Sequence, residues 1–330
     1  MDSINFKNIS VVIQGPIYEG ITCKTINNIK EKFPEAEIIV STWENSNLKE
    51  LDTDDIIVIT NKDPGGYPIY DNPQILNASN RQIVSTLSGL KRASKKYALK
   101  IRTDMYFENT NFLEYWGKFP KRLNEYKILK ERVLLSTSFA PNPRREPKPY
   151  HPSDWFFFGL REDLLDIFNS PLCSEPSTSR YFETHTRPIP LHDSWVPALV
   201  QYTAEQYIWI AFLKRFISMD FEHCFDVEKG NVEKSEQIFA NNTVLIDAIN
   251  IKYNSYKHAL LHSEFDLAYM YTHYEWLTLY KKYCDSKYQL PVFDIEKLRR
   301  VYLAICKKRK IVDNLKSLFN ITDKELFKIN

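Results

Sequence analysis

The chain has 330 residues, 43% of them hydrophobic, with 44 Lys and Arg against 42 Asp and Glu and a formal net charge of +2. That length holds one large domain or two ordinary ones, and so small a charge argues against nucleic-acid binding by the whole chain. Mean hydropathy is -0.41 and no run of about 18 apolar residues occurs, so no membrane-spanning helix is expected. The first six residues lack a basic-then-apolar leader pattern, which makes a cytoplasmic location the default expectation.

The first half alternates strand and helix. Residues 9–16, 36–42 and 55–60 read as strands; the continuously apolar runs at 38–40 and 56–58 fit a parallel sheet buried on both faces. Residues 20–33 have helical spacing and stop at Pro34. A loop dense in turn residues spans 61–73. A helix follows from about Asn80, a reasonable N-cap, to Tyr97, with Ile83, Leu87 and Leu90 on its inner face. The strand 97–102 then carries Lys100 and Arg102 and delivers a carboxylate, Asp104, at its exit. Right-handed crossovers between such elements give a doubly wound sheet, whose ligands collect beyond the carboxyl ends of the strands.

After Asp104 the pattern loosens. Residues 133–138 form another strand. Residues 141–152 hold five prolines and basic side chains, which is expected to be a mobile or substrate-shaping loop. His151 to Leu160 reads as a strand opened by a polar group, and a helix begins near Glu162. Residues 171–197 are irregular, a helix runs from Ala204 to Arg215, and the last sixty residues look mainly helical. The expected division is residues 1–220 as the α/β domain and 221–330 as a helical extension.

Composition adds three constraints. The five cysteines include no Cys-x-x-Cys pair, against a zinc knuckle or a disulfide framework. Glycine is scarce, 8 in all, so Gly15, Gly65, Gly66 and Gly159 are expected where the backbone needs unusual geometry or close approach. Between Glu296 and Lys316 eight Lys or Arg stand against two acids.

Taken in order, Val11-Val-Ile-Gln-Gly-Pro16, Asn80-Arg-Gln82, Lys100-Ile-Arg-Thr-Asp104, Ser153-Asp-Trp-Phe-Phe-Phe-Gly159 and Ala204-Glu-Gln206 resemble the WavE-type lipopolysaccharide synthesis family, bacterial glycosyltransferases of envelope polysaccharide clusters. The resemblance runs over roughly residues 9–220. It implies a GT-A-like doubly wound mixed α/β sheet that binds a nucleotide-sugar donor, with a UDP-sugar expected. The resemblance leaves donor and acceptor sugars open; the acceptor expected here is a lipid-linked, lipopolysaccharide or capsular glycan.

Glycosyl transfer passes through an oxocarbenium-like state while the leaving nucleoside diphosphate gains negative charge. A divalent ion, Mn²⁺ or Mg²⁺, held by one or two carboxylates can neutralise that charge; Asp104 is the candidate ligand. The usual Asp-x-Asp is absent, since position 106 is Tyr. Gln14, Gly15 and Pro16 are candidates for the base and ribose. Arg81 and Arg102 are either phosphate contacts or partners of carboxylates on the sheet rim. Asp154, beside an apolar run, needs a partner or a function and is read as a sugar-hydroxyl contact. Glu205 is the candidate base for an inverting transfer or an ordinary first-turn acid, and Asp193 is the alternative base. The i, i+4 spacing of His258 and His262 can place both on one helix face, without the His-Glu-x-x-His order of a zinc protease; the readings are a metal or diphosphate ligand, as the GT-A resemblance allows, or an ordinary core or surface histidine. Residues 298–310 resemble a basic amphipathic helix suited to an anionic membrane surface. No dinucleotide, P-loop or hydrolase-elbow motif occurs. Two other readings stay open: a metal-independent transferase using a CMP-activated sugar, and a catalytically silent assembly partner.

Overall fold

Aliphatic and β-branched residues in unbroken runs suit a strand covered on both faces. The computed structural model describes residues 4–51, 54–69, 72–186, 200–257 and 269–301. Asp193, His258, His262, Cys306 and the basic residues 307–310 lie outside the described residues. Ile9–Gln14 (β1) is buried at every position, and Glu37–Trp43 (β2) at all but its first. Thr22–Lys32 (α1) joins them. Ile57–Asn61 (β3), Tyr67–Ile69 (β4), Asn72–Asn77 (β5), Ser79–Arg92 (α2), Tyr97–Arg102 (β6) and Met105–Phe107 (β7) follow. Then come Val133–Ser136 (β8), Phe157–Leu160 (β9), Arg161–Phe168 (α3), Tyr181–Thr184 (α4), Ala204–Leu213 (α5) and Asn231–Asn242 (α6). Thr243–Ile246 (β10), Ala248–Ile251 (α7), Tyr253–Ser255 (β11) and His273–Tyr283 (α8) complete the named elements.

Seven strands form one sheet in the order β10-β8-β9-β6-β1-β2-β3. β9 runs antiparallel to β6 and β8, and the other neighbours pair in parallel. The chain winds from β1 outward to β3 and then back past β1 to β6. Right-handed crossovers in opposite directions put helices on opposite faces. The result is the doubly wound, mixed α/β sheet that the sequence implies.

α2 lies close on β1. A Cβ on Gly89 would sit 2.3 Å from Val12 Cγ1, so the helix reaches the sheet only because that position has no side chain. Side chains alternate along a strand, and register partners β1 and β6 share their faces: Val12 opposes Lys100, and Gln14 opposes Arg102. The α2 face therefore presents Val12 and Lys100 in its interior and Gln14 and Arg102 at the carboxyl end.

Several local expectations change. β3 is half-exposed along most of its length because it is the sheet's edge. The turn-rich loop holds β4 and the start of β5, which pair as an antiparallel hairpin. α2 ends at Arg92, before β6, and Asn80 does not cap it. Asn77 Oδ1 accepts from the Ser79 N–H at 3.0 Å, while Asn80 Oδ1 accepts from the Cys173 N–H at 2.7 Å. The expected strand from His151 shortens to β9, with residues 151–156 irregular. The proline-rich stretch 141–152 is irregular but tied down by ion pairs of Arg144 with Glu236 and Arg145 with Glu275. β10 lies beyond residue 220 yet pairs with β8, and Phe239 and Trp276 join the same core as Val11 and Leu99. The sheet and its core thus draw on both expected segments.

Candidate active site

The carboxyl ends of β1 and β6 open into a cavity of about 570 Å³. Gln14, Gly15, Pro16, Arg81, Arg102, Asp104, Asp154 and Glu205 all line it, bringing together the site candidates that lie among the described residues. Tyr18, Trp43, Asp63, Gln82, Ser85 and Thr103 complete much of the wall.

The floor is built by the two strand exits. Gly15 has φ +124, a conformation that L side chains rarely adopt, and its N–H donates to Ser41 O at 3.1 Å. Thr103 Oγ1 donates to Pro16 O at 2.7 Å, clasping the β1 and β6 exits together. Ser85 on α2 donates to Gln14 Oε1 at 2.7 Å, which orients the Gln14 side chain at the cavity.

Asp104 is fully buried. Arg102 Nε and one Nη donate to its two oxygens, both at 3.0 Å, and Ser255 Oγ donates to Oδ2 at 3.2 Å. The guanidinium lies 4.0 Å from the centre of the Trp155 ring. Such a side-on pairing occupies one edge of the fork and leaves the remaining Nη for an incoming oxyanion. Arg81 repeats the arrangement with Asp63, at 2.8 and 2.7 Å, and this pairing holds the Asp63 carboxyl below its usual range. Both arginines thus pair with carboxylates while standing in the cavity wall.

Each oxygen of Asp104, the candidate ion ligand, accepts from Arg102, so an ion there would share those oxygens with the guanidinium or displace it. Among the described residues no group of three or more His, Cys, Asp or Glu comes together to hold a metal.

The opposite wall carries the acids. Thr203 caps α5 with a capping box to Gln206, which fixes the first turn and points Glu205 at the cavity. Burial first, and the nearby Asp154 charge second, push the Glu205 carboxyl up to about 7. His151 Nε2 is 3.8 Å from Glu205 Oε2; burial and the Lys148 charge lower the imidazole to about 3, so it is neutral near pH 7 and forms no ion pair. Asp154 accepts from Gln82 Nε2 at 2.7 Å. Its backbone oxygen accepts from Lys100 Nζ, a fully buried ammonium that desolvation lowers to about 8. The carboxylate beside the apolar run is thus partnered and half-exposed to the cavity.

Asp63, Trp43 and Tyr18 join the site without a motif in the sequence to mark them. Asp63 stands in the turn-rich loop just before Pro64-Gly-Gly, and its position eighteen residues before Arg81 carries no periodic signal.

Fold and site together define an α/β protein with a charged cavity at the carboxyl ends of its parallel strands. The chain belongs to the WavE lipopolysaccharide synthesis family, whose sequence profile matches residues 9–310. No curated protein matches the sequence. Among solved structures, a mannosyltransferase, PcManGT from Pyrobaculum calidifontis, in complex with GDP-Man and Mn2+, aligns at 12% identity and a TM-score of 0.30. The alignment covers 47% of this chain and 45% of that one, a likeness that says nothing about this chain's chemistry. Among the described residues no helix is long and apolar enough to cross a membrane.

Proposed function

We propose that this protein is a glycosyltransferase that moves a hexose from a nucleotide-sugar donor, with UDP-sugar the first candidate, to a lipid-linked, lipopolysaccharide or capsular glycan. One observation carries the reading: Gln14, Gly15, Pro16, Arg81, Arg102, Asp104, Asp154 and Glu205 share one cavity. Family membership supplies the polysaccharide context. In this reading the catalytic unit centres on residues 1–220 and borrows β10 from the segment beyond.

Gln14, Gly15 and Pro16 receive the base and ribose. Arg81 and Arg102 meet the diphosphate with their unpaired edges, and Asp63 and Asp104 hold those guanidinium groups in place. Charge developing on the leaving diphosphate is then met by donors that need no reorganisation. Glu205 takes the proton of the acceptor hydroxyl as it attacks the anomeric carbon, so the transfer inverts; a carboxyl near 7 is well matched to that task. Asp154 orients a sugar hydroxyl. Asp193, the alternative base, lies outside the described residues.

The test is thermal shift against UDP-, GDP-, CMP- and dTDP-sugars with and without Mn²⁺. A rise with one nucleotide, independent of the ion, supports the arginine-based site; a CMP-sugar giving that rise changes the donor class and keeps the mechanism. A rise that requires Mn²⁺ restores Asp104 as a metal ligand. Absence of any rise with donor, alone or with acceptor glycan, sinks the enzyme reading in favour of a silent assembly partner.

A further inference from the structure

Residues 292–301 are built inside out. Residues 295–301 are helical, started by Asp294, whose Oδ1 accepts from the Lys297 N–H at 2.9 Å and whose Oδ2 accepts from Thr272 Oγ1 at 2.7 Å. The polar side of this helix faces the protein. Arg300 is 4% exposed; it donates to Glu296 Oε1 at 2.9 Å and to Met270 O at 3.0 Å and lies 3.8 Å from Asp247 Oδ1. Arg299 donates to Glu296 at 2.7 and 2.6 Å. The apolar side faces out: Val292, Phe293, Ile295, Leu298 and Val301 are 84, 68, 77, 60 and 52% exposed.

These ion pairs fix the rotation of the helix, so the apolar side chains cannot turn inward without breaking them. A contiguous exposed apolar patch marks a contact surface. Its charge surroundings name the occupant. Six residues past Val301 the sequence reads Lys307-Lys-Arg-Lys310, and an apolar wedge joined to a polybasic run is the two-signal pattern of a peripheral membrane anchor. We propose that residues 292–301 dock this protein onto an anionic lipid surface.

The placement suits the cavity. Arg300 reaches Thr137 and Asp247, the residues that follow β8 and β10. Those strands are parallel to β6 and β1, so the docking face and the charged cavity lie at the same end of the sheet. A membrane there brings a lipid-linked acceptor toward the end that holds the donor. The docking itself requires no catalysis, so it is tested without turnover and stands or falls separately from the transferase reading.

The full chain is sedimented with vesicles of phosphatidylcholine alone and of phosphatidylcholine mixed with phosphatidylglycerol. The expected result is co-sedimentation with the anionic vesicles only, weakened by salt. Replacing the three outward residues together (Phe293→Ser, Ile295→Ser and Leu298→Ser) is expected to weaken binding about tenfold or more, with the lipid-free melting temperature unchanged. Replacing Lys307 and Lys308 with Ala lowers only the salt-sensitive part. The proposal is overturned if the chain ignores anionic vesicles or if the triple variant binds as well as the parent. A lipid-free dimer that the triple variant abolishes overturns it too, assigning the face to a second copy. So does a fall in the triple variant's melting temperature, which hands the face to the chain's own residues 302–330.

Discussion

The sheet carries a cavity at each end. The larger, about 900 Å³, lies at the amino end of β6, walled by Ile4, Phe6, Tyr97, Leu113 and Trp116 with Lys96, Glu114 and Glu131 among them. The smaller, about 570 Å³, lies at the carboxyl end and gathers two arginine–carboxylate pairs and two further acids. Volume favours the first; chemistry favours the second. At the amino end the ring of Trp116 packs edge-on against Tyr97 and Phe158, both at 5.5 Å, which is ordinary core packing reaching the surface. At the carboxyl end a carboxyl is pushed to about 7, and the buried Asp104 is held in a fixed pair with Arg102. A protein maintains such an arrangement at a cost in stability, and groups with shifted proton affinity cluster where chemistry happens. The contrast is open to direct attack by substitution at both ends.

Glu205→Gln carries the largest expected effect: a loss of about 10²–10⁴-fold in transfer, the usual contribution of a general base. The melting temperature should hold or rise slightly near pH 7, because the amide needs no buried charge. Two pH profiles sharpen the point. The base works only when deprotonated, so kcat/KM should climb as pH passes through about 7. Stability should run the other way. The folded state holds this proton more tightly than the unfolded chain, so the stability it contributes is present below the ordinary carboxylate range and fades as pH rises to about 7. A flat activity profile between pH 5 and 8, measured with saturating donor, would remove Glu205 from the base role.

Arg102→Ala comes next. It strips both N–H partners from the fully buried Asp104, leaving Ser255 as the remaining side-chain donor, and breaking such a pair costs about 3 kcal/mol. Denaturant midpoints measure that loss, and donor-induced stabilisation should vanish with it. Arg102→Lys separates the two consequences. An ammonium keeps the charge but cannot make two parallel bonds, so stability should recover in part while donor binding stays weak. Full recovery of donor binding by Lys would mean that charge alone matters there.

Gly89→Ala probes what holds the cavity in place. The new methyl would meet Val12 Cγ1 at 2.3 Å, pushing α2 off β1 and moving Arg81, Gln82 and Ser85 with it. Overpacking of this kind costs about 1–3 kcal/mol, and donor affinity should fall with stability. An unchanged melting temperature would show that α2 sits farther from the sheet.

Much of this was legible in the sequence, for identifiable reasons. Unbroken aliphatic runs announced β1 and β2, and a carboxylate at the exit of a central strand announced the cavity end. Local composition cannot show pairing between distant residues. Nothing in the string says that Asp63 meets Arg81, or that Asp104 is spoken for by the arginine two residues before it. Asn80 looked like a cap because capping is a local rule, yet it is drawn away by Cys173, ninety-three residues on. Gly89 carries no sequence signal of its role, because a glycine inside a helix reads as a weakness until its neighbour on the sheet is known. Likewise the 298–310 stretch reads as basic and amphipathic, but only the ion pairs of Arg299 and Arg300 reveal that Leu298 and Val301 face outward.

The smallest expected effect belongs to the amino-end cavity, where Trp116→Ala completes the comparison. Trp116 is half-buried, so losing its ring contacts with Tyr97 and Phe158 should cost less than a full core truncation, about 2 kcal/mol. Transfer measured well below the melting temperature should change by less than about twofold, because the lost contacts lie at the opposite end of β6 from Arg102 and no charge in the active cavity loses a partner. If transfer falls while donor-induced stabilisation is unchanged, the larger cavity takes part in handling the acceptor glycan, and the functional asymmetry drawn between the two ends of the sheet fails.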